Sequence, residues 1–101
     1  MTIHDALPEM LNQASVVLLV FSLLDRASLE FVREAIPHFA GAEVVLVGNK
    51  LDLVTPASNA IRVQARKLAE NEGIQYFEVS AVNGSNVSEM FRTLARQLRS
   101  A

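Results

Sequence analysis

The chain contains no cysteine and no tryptophan in 101 residues, and only four glycines, three prolines and 6% aromatics. Without a thiol there is no disulfide, thiolate nucleophile, cysteine-based metal site or prenyl or palmitoyl anchor, and a reducing, cytoplasmic setting is the expectation. So little Gly and Pro excludes collagen-like and low-complexity chains. Nine basic residues against eleven acidic ones leave a formal charge of -2, so the chain lacks the positive field that recruits nucleic acid or an anionic membrane, and neither is an expected partner. Long apolar runs are missing too. The longest, residues 16–24, is interrupted by Ser22 and follows Asp5 and Glu9 rather than a basic stretch. It falls short of the roughly 20 residues a membrane span requires, and neither a span nor a signal peptide is expected.

What is present is apolar. Half the residues are hydrophobic and 20% charged, enough for one compact domain over residues 1–101 and too little for two. Three short apolar runs alternate with helical patterns, the signature of an α/β fold in which crossover helices cover a parallel sheet. The run Val16-Val17-Leu18-Leu19-Val20-Phe21 is apolar at both parities and reads as a strand buried on both faces. Val44-Val45-Leu46-Val47 repeats that pattern, and the more mixed Tyr76-Phe77-Glu78-Val79 is expected nearer an edge. Leu29, Val32, Arg33 and Ile36 have helical spacing behind a cap at Asp25 or Ser28, with Pro37 and Gly41 near the far end. Thr55-Pro56 supplies an N-cap and N1 pair, Ile61, Ala65, Leu68 and Ala69 a stripe, and Gly73 a left-handed stop. Asn86 and Glu89 have capping-box spacing before a last helix whose inner face is read as Val87, Met90, Phe91, Leu94 and Leu98. A weaker helical stretch with Pro8 in its first turn covers residues 7–14.

Several conspicuous residues have ordinary explanations. Asn83-Gly84-Ser85 and Asn86-Val87-Ser88 match the glycosylation pattern, but turn and cap roles are expected for them. His4 and His38 have no ligand-spaced carboxylate and are assigned to the surface. Arg92, Arg96 and Arg99 form a basic ridge on the last helix, where cations complement the helix dipole.

Two polar loops directly follow the second and third strands: Gly48-Asn49-Lys50-Leu51-Asp52, and Ser80-Ala81 after Glu78-Val79. In open α/β sheets ligands bind outside the carboxyl ends of strands, so neighbouring loops converge on one ligand. A carboxylate such as Asp52 accepts two parallel N–H bonds from an amidine-like edge, and guanine offers N1–H and N2–H₂ side by side. Backbone N–H groups of Ser80 and Ala81 are candidate donors to guanine O6. Asn49 either bonds the base or ties the loops together, and the Lys50 stem covers the base face.

Asn49-Lys50-x-Asp52 and Ser80-Ala81 resemble the guanine-specificity motifs of the Ras/Rab-like small GTPases. The flanks agree: Val44, Leu46, Val47 and Gly48 before Asn49, Asp25-x-x-Ser28 after a buried strand, and the segment from Gln64 through Gly73 to Phe77 and Ser80 have the same relative spacing. The resemblance covers roughly residues 7–100 and implies the C-terminal half of a G domain, with guanine-binding residues Asn49, Lys50, Asp52, Ser80 and Ala81. The phosphate loop G-x-x-x-x-G-K-[ST] is absent: Gly41, Gly48, Gly73 and Gly84 are the only glycines and none precedes a lysine. D-x-x-G fails as well, since Pro8, Ser28 and Thr55 stand three residues after the aspartates. The third position of the family's last motif, often lysine, is Val82.

These departures imply GTP or GDP binding that is weak, no magnesium site supplied by this chain, and no hydrolysis by it alone, because phosphate cradling and metal positioning lie in the missing half. A non-hydrolysing interaction module or dimerising scaffold is the alternative. The resemblance also implies that the strand at residues 16–21 lacks its usual neighbour, so a homodimer or partner protein is expected along that edge.

Overall fold

A computed structural model describes residues 16–100, with the side chains of residues 98–100 left aside; the helix expected over residues 7–14 lies outside the described residues. The elements run β1 (Val16–Ser22), α1 (Arg26–Ala35), β2 (Glu43–Asn49), α2 (Asn59–Glu72), β3 (Gln75–Glu78) and α3 (Val87–Ser100), with 3₁₀ turns at Ile36–Phe39, Leu51–Leu53 and Pro56–Ser58. The strands form one parallel sheet in the order β1-β2-β3. Val16 pairs with Glu43 and Ser22 with Asn49, while Val45 pairs with Gln75 and Gly48 with Glu78. None of the helices among the described residues is long and apolar enough to cross a membrane.

Alternation along the strands sorts the core into two layers. Leu19, Phe21 and Leu46 pack with Leu29, Val32 and Ile36 of α1 and its following turn, and with Ala65, Leu68 and Ala69 of α2. On the other face Val16, Leu18, Val45, Val47, Phe77 and Val79 meet Met90 and Leu94 of α3. The α/β class and the three-strand parallel sheet agree with the sequence reading, as does the edge position of β3.

Five local expectations are corrected. The strand β1, read as buried on both faces, is half-exposed, with Val20 at 53%, because it is the other edge of the sheet. Thr55 and Pro56 open a separate 3₁₀ turn, where Thr55 and Ser58 bond reciprocally, and α2 starts only at Asn59. Asn86 adopts a left-handed backbone, φ 64°, and its side-chain amide donates to the Glu78 carbonyl at 2.9 Å instead of facing a capping-box glutamate. Phe91, assigned to the inner face of α3, is 53% exposed. Elsewhere the signals are met locally: the Asp25 carboxylate accepts from Ala27 N–H at 2.9 Å and caps α1, and Gly73 ends α2 at φ 66°. Arg33, part of the α1 stripe, instead faces solvent and pairs with Glu30 at 3.7 Å.

Candidate functional site

The parallel register delivers both polar loops to the same end of the sheet. Gly48, the penultimate residue of β2, stands at a place where a side chain has no room: an added Cβ would stand 2.6 Å from Leu23 Cδ2 and 3.1 Å from Phe21 Cζ. The chain then turns sharply. Lys50 takes up the left-handed conformation at φ 69°, ψ 33°, and the Asn49 side-chain oxygen accepts Lys50 N–H at 2.7 Å, holding the reversal in place. Leu53 N–H donates to the Lys50 carbonyl at 3.0 Å and completes a 3₁₀ turn that carries Asp52.

The second loop is bolted to the first. Val79 N–H donates to the Gly48 carbonyl at 2.8 Å, and Leu51 N–H donates to the Val79 carbonyl at 3.0 Å. Side chains add two further ties. Ser80 Oγ donates to Asp52 Oδ1 at 2.7 Å, and Ala81 N–H donates to Asn49 Oδ1 at 3.0 Å. Ser80 is fully buried, and its hydroxyl also accepts Asn83 N–H at 3.2 Å, so this buried polar group is satisfied on both counts. Lys50, Asp52 and Ala81 are exposed and Asn49 half-exposed.

The five residues singled out in the sequence thus come together. Of the two roles open to Asn49, the structure exhibits the loop tie. The backbone donors differ from expectation: Ser80 N–H is occupied by the Ser85 carbonyl at 3.0 Å, and Ala81 N–H by Asn49. An incoming acceptor must therefore share or displace the Asn49 bond. Asp52 retains capacity, because Ser80 uses one of its oxygens and an ionised carboxylate offers about four lone-pair sites. Among the described residues no cluster of three His, Cys, Asp or Glu side chains is placed to hold a metal ion.

Sequence reasoning missed a network directly beneath the second loop. Arg62 of α2 forks onto Glu78, with Nη2 at 2.5 Å from Oε1 and Nε at 3.0 Å from Oε2, and Tyr76 Oη donates to Oε2 at 2.7 Å. Tyr76 stacks on Phe21 with centroids 6.3 Å apart. Burial alone pushes the Glu78 carboxyl up, but the bonds from Arg62 and Tyr76 and the charges of Arg62 and Arg66 outweigh it and hold the group below its ordinary range. The Tyr76 hydroxyl is raised by burial and by Glu78, and the Arg62 guanidinium is raised by its bond to Glu78. The available signal was a lone carboxylate between Phe77 and Val79 in a strand; its partner lies sixteen positions away, beyond any local spacing rule.

A groove of about 680 Å³ lies at the opposite end of the sheet, lined by Phe39, Val44, Ile74 and Gln97 among others. It contains none of the loop residues.

Residues 4–100 match the Ras family model. Ras-related protein Rab-13 of Mesocricetus auratus is 36% identical over 87 residues, covering 81% of this chain and 42% of that relative. Rab-13 of Canis lupus familiaris gives the same figures. Ras-related protein Rab-27B of Rattus norvegicus is 41% identical over 83 residues, covering 76% of this chain and 38% of that protein. The chain spans about 42% of the length of the first of these relatives, and with its sheet, helices and matched residues it belongs to the Ras family as the C-terminal part of a G domain.

Proposed function

We propose that this chain is the base-reading part of a small GTPase: it recognises guanine through Asn49, Lys50, Asp52, Ser80 and Ala81 and does not hydrolyse GTP by itself. The observation that carries the reading is the pair of ties Ser80 Oγ to Asp52 Oδ1 and Asn49 Oδ1 to Ala81 N–H, which hold two loops from different strands at a fixed separation. Preorganised loops spend less of their binding energy on ordering themselves. Asp52 accepts N1–H and N2–H₂ of guanine and repels adenine, whose corresponding edge presents an acceptor. The exposed Lys50 lays its methylenes over the base. Phosphates and magnesium find no counterpart in the chain's motifs, so the affinity rests on the base.

A few base hydrogen bonds, at about 1–3 kcal/mol each, must offset about 4 kcal/mol or more of lost rigid-body freedom. Millimolar affinity is the expected outcome for an isolated copy. Titration of the full chain with GDP and ADP, followed by amide NMR, should shift Lys50, Asp52, Ala81 and Val82 with GDP and leave them unmoved with ADP. Asp52→Ala should erase that difference while thermal unfolding remains cooperative. Phosphate release from GTP with magnesium present should match the protein-free control.

A second reading is favoured by the same bonds. Asn49 Oδ1, Ala81 N–H and Ser80 Oγ are all satisfied within the chain, as a loop lock kept for its own sake would require. In that reading the chain is a non-hydrolysing interaction module, and neither nucleotide moves the loop amides.

A further inference from the structure

We propose that Asn83 is a site of covalent self-modification: its side-chain amide cyclises onto the Gly84 nitrogen, expels ammonia and leaves isoaspartate or aspartate, at a rate set by the Ser80–Asp52 hydrogen bond. Of the chain's six asparagines only Asn83 precedes a glycine, and the second loop folds the two into one reacting unit. The Asn83 side-chain oxygen accepts Ser85 N–H at 2.9 Å. The ring closed by this bond includes both Asn83 Cγ and the Gly84 nitrogen, the two atoms that must join, so the side chain already lies folded along its own backbone. Gly84 has no Cβ, and nothing stands within 4 Å of where one would be, which leaves the approach to its nitrogen open. Asn59 and Asn71 lie in α2 instead, where the helix fixes the backbone angles and the following residues carry side chains.

The chemistry needs no partner beyond water and its hydroxide. Gly84 N–H gives its proton to hydroxide, the nitrogen bonds to Asn83 Cγ, and the side-chain oxygen takes up the negative charge where Ser85 N–H is placed to stabilise it. Collapse of that intermediate breaks the Cγ–Nδ2 bond, and the departing nitrogen takes a proton from water and leaves as ammonia. Water then opens the resulting imide. Attack at Cγ gives aspartate, and attack at the Asn83 backbone carbonyl gives isoaspartate, in which the main chain runs through Cγ. One bond opposes the reaction. Gly84 N–H donates to the Ser80 carbonyl at 2.8 Å, so its nitrogen is masked while the loop is closed. Ser80 is held in turn, because its Oγ donates to Asp52 Oδ1 at 2.7 Å and accepts Asn83 N–H at 3.2 Å. The turn must open at Ser80 before Gly84 reacts, and loosening Ser80 raises the open population. Isoaspartate lengthens the main chain by a methylene at this point, so the product cannot rebuild the Gly84 to Ser80 bond in its original register. The modification stands whether or not the loops read guanine; where they do, it loosens that reading.

The full chain, incubated in mildly alkaline buffer and mapped by peptide mass spectrometry, should acquire an acid at residue 83 before any other asparagine changes. Electron-transfer fragmentation should identify isoaspartate there, whereas direct hydrolysis of the amide gives aspartate alone. The amide NMR signals of Ser80 and Ala81 should change in step with the product. Asp52→Ala removes the acceptor that holds Ser80 Oγ and should speed the modification about fivefold, the effect of losing one hydrogen bond, with the circular dichroism of the folded chain preserved. Ser80→Ala should act in the same direction. Asp52→Asn keeps an oxygen for Ser80 Oγ and should react at the wild-type rate. Modification that starts at another asparagine, aspartate without isoaspartate, or brace variants that react no faster than wild type overturn the proposal. So does Asp52→Asn reacting as fast as Asp52→Ala, since the charge of Asp52 and not its hold on Ser80 would then set the rate.

Discussion

Strands β1 and β2 have nearly the same composition and opposite surroundings. Val44 through Val47 are all below 8% exposed, with Val45 and Leu46 at zero, because β2 has a strand on each side and helices on both faces. β1, equally apolar, is half-exposed for five of its seven residues and, among the described residues, has a neighbouring strand on one side only. An apolar, β-branched run thus states how much burial a strand demands. Whether the chain supplies the neighbours that meet the demand is a property of the other elements. The met demand on β2 gives the two polar loops a rigid base.

Truncation on the two strands is the most forceful way to break this contrast. Leu46→Ala deletes a fully enclosed side chain and should cost about 2–5 kcal/mol in urea unfolding. Leu18→Ala, half-solvated in a single copy, should cost less than half as much at low micromolar concentration. Equal costs for the two substitutions would show that β1 is covered as β2 is.

Gly48→Ala tests the end of β2, where the sheet becomes the site. The new methyl would press on Leu23 Cδ2 at 2.6 Å, and Leu23 is fully buried with nowhere to swing. Overpacking of this kind typically costs about 1–3 kcal/mol. The Gly48 carbonyl receives Val79 N–H, so the shift passes to the second loop, and the amide NMR signals of Ser80 and Ala81 should move along with the loss of stability.

The strands, helices and both loops were legible because their signals are local: parity in a strand, helical spacing, and the left-handed stop at Gly73. Asn49, Lys50, Asp52, Ser80 and Ala81 were legible as a set because the loops follow adjacent parallel strands. What escaped depends on a third element arriving from elsewhere. Asn86 gave up its capping box for the Glu78 carbonyl, which no i to i+3 rule anticipates. The Ser80 hydroxyl met Asp52 across twenty-eight positions, a brace that the reading of Ser80 as a backbone donor did not include. Exposure of β1 was obscured for the same reason, since its pattern matches that of a central strand.

The Arg62–Glu78 pair sharpens the comparison at its smallest scale, since it props β3 and not β2. Glu78→Gln retains the shape and removes the charge that the Arg62 fork needs. The pair is partly exposed, at 25% and 13% for the two side chains, and the loss at neutral pH should be about 1 kcal/mol. Its pH dependence follows from the sign of the shift. Because the folded Glu78 carboxyl titrates below its ordinary value of 4.5, the native state holds the charged form more tightly than the unfolded chain does. The pair's contribution is then present in full above that ordinary value and is lost as pH falls through the lower folded value. Urea unfolding of wild type and Glu78→Gln should differ by a constant amount from pH 6 to pH 7 and converge on acidification. A difference that persisted unchanged to pH 2 would mean that the glutamate acts through packing and not through its charge.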